Sequence, residues 1–429
     1  MSDHTQGLQR MTKKHRNFTG SIAVLDVGST KISCFIARLE ADGSIRVTGI
    51  GHQLSKGIRS GQVIDTVEAE TSILAAVHTA EQMADETIDN IVVGLVGSGI
   101  SSRRIAVELS VAGEGVTERD LAEAQDEGLA SLDGDNVEVL HAFPISYTLD
   151  ENANIRDPRG MLGEILGADL HAITAPVMMV RNMTQCLARC HLNVAEFVAS
   201  AYVSGLASLE PDEMELGVTF VDMGGGTTNI AVFSGGKCVY ADAIPIGGQH
   251  VTSDLARGLS TSISHAERLK TLHGSSVPVS SDDQAMIEVP QLGEEDNDDG
   301  ANLMPRSMLV GIIRPRLEEI FEIIRSKIEV AGVDAIAGRR VVLSGGASQM
   351  IGIRELATRV LGKQVRLSKP RVLNGLADAV SGPAFSTSIG MLEYARRRSL
   401  EHQLSSHGRS GSGMPVSLTR LARWFKENF

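Results

Sequence analysis

Residues 220–233 read FVDMGGGTTNIAVF, and the fold turns on this stretch. A short apolar run from Gly217 to Val221 ends in Asp222. Gly224, Gly225 and Gly226 follow, then Thr227 and Thr228, then a second β-prone run from Ile230 to Phe233. Strand, acidic residue, glycine turn and strand together predict a hairpin. With no Cβ in the way, such a turn can bring its backbone N–H groups against an anion, and the threonine hydroxyls add donors. Asp222, fixed at a strand end, is placed to hold Mg²⁺ through its waters, because Mg²⁺ dehydrates reluctantly. The alternative is a hairpin whose glycines only supply positive φ.

The plan recurs. Ile22 to Val27 is an apolar run carrying Asp26, followed by Gly28, Ser29, Thr30 and Lys31, then a second strand from Ile32. A third version, Val341 to Ser348, ends a strand with Gly345 and Gly346 and leads toward a helix. Two strand-Asp-Gly hairpins in one chain predict two related half-structures facing each other across a cleft. A nucleotide is the ligand that two facing phosphate loops suit.

The whole chain sets bounds on this reading. Its 429 residues are too many for one simple core. A net charge of −13 argues against a nucleic-acid partner. The four cysteines, Cys34, Cys186, Cys190 and Cys238, form no CxxC pair and read as reduced thiols in a cytosolic chain. No stretch approaches the ~20 apolar residues that span a bilayer. The apolar run after Arg10, Lys13, Lys14 and Arg16 carries Asp26, so it is a strand and not a signal peptide.

Taken in order, residues 1–19 read as a polar tail and 20–88 as strands followed by a helix over Val67–Met83. Residues 89–168 read as an inserted α+β unit, with Thr117 and Asp120 starting its helix as a capping-box variant. Leu170–Arg181 returns to strand character. Val203–Leu209 is a helix rich in small residues, able to lie close beside a nucleotide loop. Gly247 and Gly248 precede a further helix. Glu267 and Lys270 lie one turn apart, which by itself reads as a solvated ion pair. Residues 274–305, with Glu294 to Asp299, read as a mobile acidic loop, and Met308–Ala331 as a long amphipathic helix. Ala384–Arg396 is another helix. Residues 399–413 then read as a Ser/Gly linker.

The last stretch, 414–429, puts Leu418, Leu421, Ala422, Phe425 and Phe429 at i, i+3, i+4, i+7 and i+11. Arg420, Arg423 and Lys426 lie mainly beside or opposite that stripe, and Trp424 is the only tryptophan. A basic amphipathic helix behind a tether reads as one that lies in an anionic membrane surface. The alternative is a helix that docks on a protein groove or on its own core.

These stretches together resemble the actin, sugar-kinase and heat-shock-chaperone superfamily and, within it, the bacterial cell-division family FtsA over nearly the full length. AVLDVGSTKISCFIA, LGVTFVDMGGGTTNIAVF, IPIGGQHVTSDLARGL, AERLK, VVLSGGASQMIGI and the terminal helix carry the likeness. The fold it implies is an α/β, actin-like two-lobed ATPase with an inserted α+β subdomain and a C-terminal amphipathic helix. The first-lobe core (20–88) would be continued by 169–205 and 380–398. The second-lobe core (206–252) would be continued by 340–379, with 253–339 as its small subdomain.

The resemblance implies ATP with Mg²⁺. Asp26, Gly28, Ser29, Thr30 and Lys31 would form the first phosphate loop, and Asp222 with Gly224, Gly225, Gly226, Thr227 and Thr228 the second. Gly247 and Gly248 would join them. Glu267 and Lys270 would meet ribose and base, and Gly345, Gly346 and Ser348 would close the adenosine pocket. It also implies self-assembly into filaments, later division proteins bound through 89–168, and the C-terminal peptide of the tubulin-like FtsZ on the small subdomain. Arg306, Arg314 and Arg316 are candidate contacts for that peptide. The place implied is the cytoplasmic face of the inner membrane at the division site. One departure stands out: many relatives carry Gln or Glu near the start of the small-residue helix to orient water, whereas this chain offers Ala199 and Ser200, with Glu196 farther off. Binding is therefore expected, and hydrolysis at most slow. A kinase of the superfamily and a pilus-assembly-type adaptor are the rival readings.

Overall fold

Two glycine-turned hairpins seed the two lobes. The computed structural model describes residues 20–111, 115–292 and 302–407. The predicted tail, the Glu294–Asp299 run and the terminal amphipathic stretch lie outside the described residues.

The first lobe opens with β1 (Ser21–Val27), β2 (Lys31–Leu39), β3 (Ile45–Leu54), the small hairpin β4 (Ile58–Arg59) and β5 (Gln62–Val63), α1 (Thr66–Ala84) and β6 (Asn90–Leu95). The Asp65 carboxylate accepts the Val67 and Glu68 N–H groups and so starts α1. An insertion follows: β7 (Ser101–Ser110), α2 (Glu118–Ala130), β8 (Val137–Leu149), β9 (Asn152–Ile155) and β10 (Ile165–Pro176). The capping box predicted from Thr117 and Asp120 is present at α2. The chain returns through α3 (Val177–Arg189), β11 (Asn193–Ala199), α4 (Ser200–Ser208) and α5 (Pro211–Leu216).

The second lobe contains β12 (Val218–Met223), β13 (Thr228–Ser234), β14 (Lys237–Ile244), α6 (Gly248–Gly258), α7 (Ile263–His273), β15 (Met286–Glu288), β16 (Leu303–Pro305) and α8 (Arg306–Val330). β17 (Arg340–Ser344), α9 (Ile353–Leu361), β18 (Gln364–Leu367) and α10 (Ser386–His407) complete it and cross back to the first lobe.

The first sheet runs β11-β6-β1-β2-β3. The second runs β18-β17-β12-β13-β14-β7-β10-β8-β9, so the insertion's strands extend the second lobe's sheet. The backbone join is a single ladder pair between Asp242 and Ser101, supplemented by side-chain hydrogen bonds such as Ser102 Oγ to the Ala241 carbonyl. β12 is buried along its whole length and β1 nearly so, as continuous apolar runs require; β7 alternates, with one face in water.

Several expectations are corrected. Asn90–Leu95 pairs in parallel with β1 and β11, so this strand belongs to the first lobe and the insertion begins after it, not at 89. Strand character in 170–181 ends at Pro176, where α3 begins. Val137–Leu149 is one strand carried past Pro144 with a register shift. Residues 274–292 are partly ordered: Ser276 and Asp282 are buried and β15 pairs with β16. Helix α10 runs into the predicted linker as far as His407.

Helices α4 and α10 cross closely where the lobes meet. A Cβ on Gly390 would collide with the Val203 carbonyl, and one on Gly205 would stand 2.7 Å from the Phe233 ring. Among the described residues no helix is long and apolar enough to cross a membrane.

Candidate functional site

Both hairpin turns are closed by the same bond. The Gly28 N–H donates to the Lys31 carbonyl at 3.0 Å, and the Gly224 N–H to the Thr227 carbonyl at 2.9 Å. The turns face each other. A Cβ on Gly225 would collide with Thr30, and one on Gly226 with Ser29, so glycine is what lets the loops approach. The Ser60 hydroxyl donates to the Gly226 carbonyl at 3.3 Å across the same gap. Gly247 and Gly248 join from α6, where the Gly248 and Gln249 N–H groups donate to the Gly224 and Gly225 carbonyls. The third motif closes the far side: Gly345 has φ 84° and abuts the Asp222 carboxylate, and Ser348 Oγ donates to the Gly345 carbonyl at 2.7 Å.

Two carboxylates and one ammonium lie under these turns. Burial pushes the Asp26 carboxyl up to about 6, with Lys31 opposing and Asp222 reinforcing the shift. Asp222 is raised too, chiefly by burial, against the pull of two hydroxyls. Ser204 Oγ reaches it at 3.1 Å and Thr387 Oγ1 at 3.3 Å. Burial lowers Lys31 to about 8, partly offset by Asp26 and Asp222. Its ammonium donates to the Ala384 carbonyl at 2.5 Å and lies 3.2 Å above the centre of the Phe385 ring.

A cleft of about 460 Å³ opens beside the turns, lined by Thr30, Gly224, Gly225, Gly248, Glu267 and Lys270 among others. Lys270 Nζ is 2.7 Å from Glu267 Oε2, 2.9 Å from Thr252 Oγ1 and 3.2 Å from the Gly248 carbonyl. The pair is therefore part of the cleft wall, with Lys270 mostly buried. Gly346 lines the cleft as well.

The residues suit a phosphate chain. Ser29 Oγ is buried and has no hydrogen-bond partner among the described residues, an orphan hydroxyl at the mouth of two glycine turns. Asp26 and Asp222 could hold a hydrated divalent cation between protein and phosphate; among the described residues, no three His, Cys, Asp or Glu side chains gather to ligate one directly. Thr227 is buried beside its loop. The Thr228 hydroxyl is spent on the Ile246 carbonyl at 2.8 Å.

At the start of α4 the Ala199 N–H donates to His141 Nε2 at 3.0 Å, and Ser200 Oγ is buried without a partner among the described residues. Glu196 accepts from the Tyr394 hydroxyl at 2.9 Å and lies 3.9 Å from Arg398. Its carboxylate is thus held by α10.

The three arginines are not gathered into a free basic patch. Arg306 pairs with buried Asp282 at 2.8 Å and donates to the His273 carbonyl. Arg314 pairs with Glu318 at 2.7 Å, and Arg316 pairs with Asp254 at 2.6 Å and with Glu319. Sequence reasoning missed Ser60, Ser204, Thr252, Ala384 and Thr387. Ser204, on the helix already singled out for small residues, is the one a signal could have found.

Comparison with known proteins fits this geometry. A family model described as "Cell division protein FtsA" matches residues 219–390, and one described as "SHS2 domain inserted in FTSA" matches 97–174. A chain of the PilM–PilN type IV pilus biogenesis complex superposes with TM-score 0.62 at 16% identity, covering 87% of this chain and 98% of that one. MreB5 of Spiroplasma citri bound to ADP gives 0.53 at 12% identity, covering 90% and 99%. The fold is that of a two-lobed, actin-like α/β protein with an inserted SHS2 domain. Cell division protein FtsA of Rhizobium meliloti is 42% identical over 435 residues, covering 99% of this chain and 98% of its own. FtsA of Pseudomonas aeruginosa is 32% identical (95% and 98% covered) and that of Escherichia coli K12 30% (94% and 97%). The chain belongs to the FtsA family of cell division proteins.

Proposed function

We propose that the chain is an ATP-binding, membrane-tethered filament protein that anchors the FtsZ ring to the cytoplasmic face of the inner membrane and recruits later division proteins. The observation that carries the reading is the pair of facing Asp-Gly hairpins, with buried Asp26 and Asp222 beneath them and the orphan Ser29 hydroxyl between.

In this reading Gly28 to Thr30 and Gly224 to Thr227 offer backbone and hydroxyl donors to the phosphates. Mg²⁺ would supply charge neutralisation of the phosphate chain. Asp26 and Asp222 would hold its waters, and their own desolvation cost would be relieved by the cation. Lys31 places a positive charge beneath the same loop. Glu267 and Lys270 would reach ribose and base, a step that exchanges part of their mutual pairing. Turnover is slow because the start of α4 carries no Gln or Glu to orient water, and Glu196 is held by Tyr394. The FtsZ peptide would meet the small subdomain, with Arg314 and Arg316 trading their present carboxylate partners for those of the peptide. Arg306, bound to buried Asp282, would have to break a bridge inside its own lobe to do the same.

The stretch 414–429 attaches each subunit weakly, and a filament sums those attachments. Co-sedimentation with anionic vesicles and ATP tests this, comparing the full chain with one ending at Ser412. Pelleting should be lost on truncation and conferred on an inert carrier by 413–429. Equal pelleting of both chains would remove the tether and favour the adaptor or kinase readings.

A further inference from the structure

A second cavity, of about 560 Å³, lies where the insertion, both lobes and α10 converge. Its apolar lining is aromatic: Phe143, Tyr202, Phe233 and Tyr394, with His141 stacked on Phe143 and edge-on to Tyr394. One edge is α2, whose Asp126 lines the cavity and whose Glu123 and Glu127 lie exposed on the same helix, none of the three in an ion pair among the described residues. Another edge is α10, which contributes Arg397 and Arg398, and Lys237 adds a third cation to the lining. The groove is thus an aromatic slot with one acidic wall, bordered by the helix that leads to the end of the chain.

We propose that residues 414–429 dock their apolar stripe in this groove when no membrane is present, so that groove and membrane compete for one segment. Three observations choose this occupant. The stripe Leu418, Leu421, Phe425 and Phe429 offers large side chains to an aromatic slot, and Arg420, Arg423 and Lys426 offer cations to the acidic wall of α2. The tether also fits. From Arg398 to His407 helix α10 advances about 14 Å past the groove, and residues 408–413, extended, return about 20 Å. Finally, the segment is held at high effective concentration because its attachment point is the groove's own wall. The membrane half of the competition rests on the tether proposed above; docking does not.

Docking also bears on the nucleotide site. The floor of the groove includes His141, which accepts the Ala199 N–H at the start of α4, and α4 carries Ser204 to Asp222.

Trp424, the chain's only tryptophan, reports the segment directly. In the full-length protein without vesicles its emission is expected to be blue-shifted and shielded from acrylamide. Leu129→Arg, at the half-exposed edge of α2, should move it toward the emission of a solvated indole. The same change should tighten binding to phosphatidylglycerol vesicles, about tenfold if nine molecules in ten are docked. Because the four native cysteines are buried, Leu129→Cys with Phe425→Cys gives an independent measurement. Mild oxidation should cross-link the two within one chain, at a yield independent of dilution. A solvated Trp424 in the wild type, or emission indifferent to Leu129→Arg together with no cross-link, overturns the proposal. A cross-link only between chains overturns it in favour of a second copy. A cross-link within the chain, with vesicles that never shift Trp424 in Leu129→Arg, supports docking and removes the membrane reading instead.

Discussion

Asp26 shows what the site costs the protein that carries it. Its carboxyl is raised from 3.8 to about 6 by burial. A raised acid stabilises the fold below its unfolded pKa, and that contribution is lost as pH rises through the folded one. Between about pH 4 and pH 6 ionisation of Asp26 therefore becomes progressively unfavourable, and above pH 6 the full penalty, on the order of 3 kcal/mol, is in place. Asp26→Asn should accordingly raise the melting temperature of the nucleotide-free protein at pH 7.5. The gain should fade as pH approaches 4, while stabilisation by Mg-ATP is lost. Thermal scans across pH with and without nucleotide check both halves; a destabilised Asp26→Asn at pH 7.5 would mean that the Asp26–Lys31 attraction outweighs burial. Asp26 and Asp222 were legible from sequence because each ends an apolar strand before glycine. Ser204 and Thr387, which hold Asp222, were not, because nothing in a one-dimensional pattern says which hydroxyl of a buried helix meets which carboxylate. Lys31 was legible as a loop residue, but its seat on Phe385 joins positions too distant in the chain for any local signal.

At the scale of elements, α4 and α10 form the crossing on which the site rests. Gly390 lies in α10, where helix propensity alone would make Gly→Ala a gain of about 1 kcal/mol. The Val203 carbonyl occupies the place of its Cβ, so the helices would have to part, and overpacking of this kind costs about 1–3 kcal/mol. Gly390→Ala should therefore destabilise. Gly311, inside α8 with nothing within 4 Å of its absent Cβ, supplies the control, and Gly311→Ala should stabilise by about 0.5–1 kcal/mol. Denaturant melts of both variants decide it; the same sign for both would mean the crossing yields more easily than its geometry implies. Elements with strong local signals were legible: the two hairpins, α1, and the capping box of α2. Val177 to Val180 was not, since a short apolar run does not distinguish strand from helix. The helical start there is set by Pro176, which ends β10. Asn90–Leu95 reads from sequence as part of the insertion and not of the first sheet, because parallel partners are chosen by tertiary contact.

For the whole molecule, the three glycine motifs share one strap. Lys31 donates to the Ala384 carbonyl, the Gly345 N–H to that of Pro383, and Ser344 and Ser204 bond Ser386 and Thr387. A ligand gripping both glycine turns must therefore act on both lobes and on this strap together. Mg-ATP should slow amide exchange in 26–31, 222–228, 345–348 and 383–387 as one group. The insertion joins its sheet by one ladder pair at Asp242 and Ser101 and by side-chain hydrogen bonds at Ala241, Cys238 and Lys237, none of them to a glycine turn, so β7 to β10 should change less than the four segments. Binding to the folded state alone contributes about 2.7 kcal/mol at a hundredfold excess over Kd, enough to read as a rise in melting temperature in parallel. Hydrogen-exchange mass spectrometry separates the outcomes. Joint protection of all four segments means that closure is a property of the whole two-lobed body. Protection of 222–228 alone would mean that the second hairpin binds phosphate without drawing the first lobe onto it, and lobe closure would then not follow from binding.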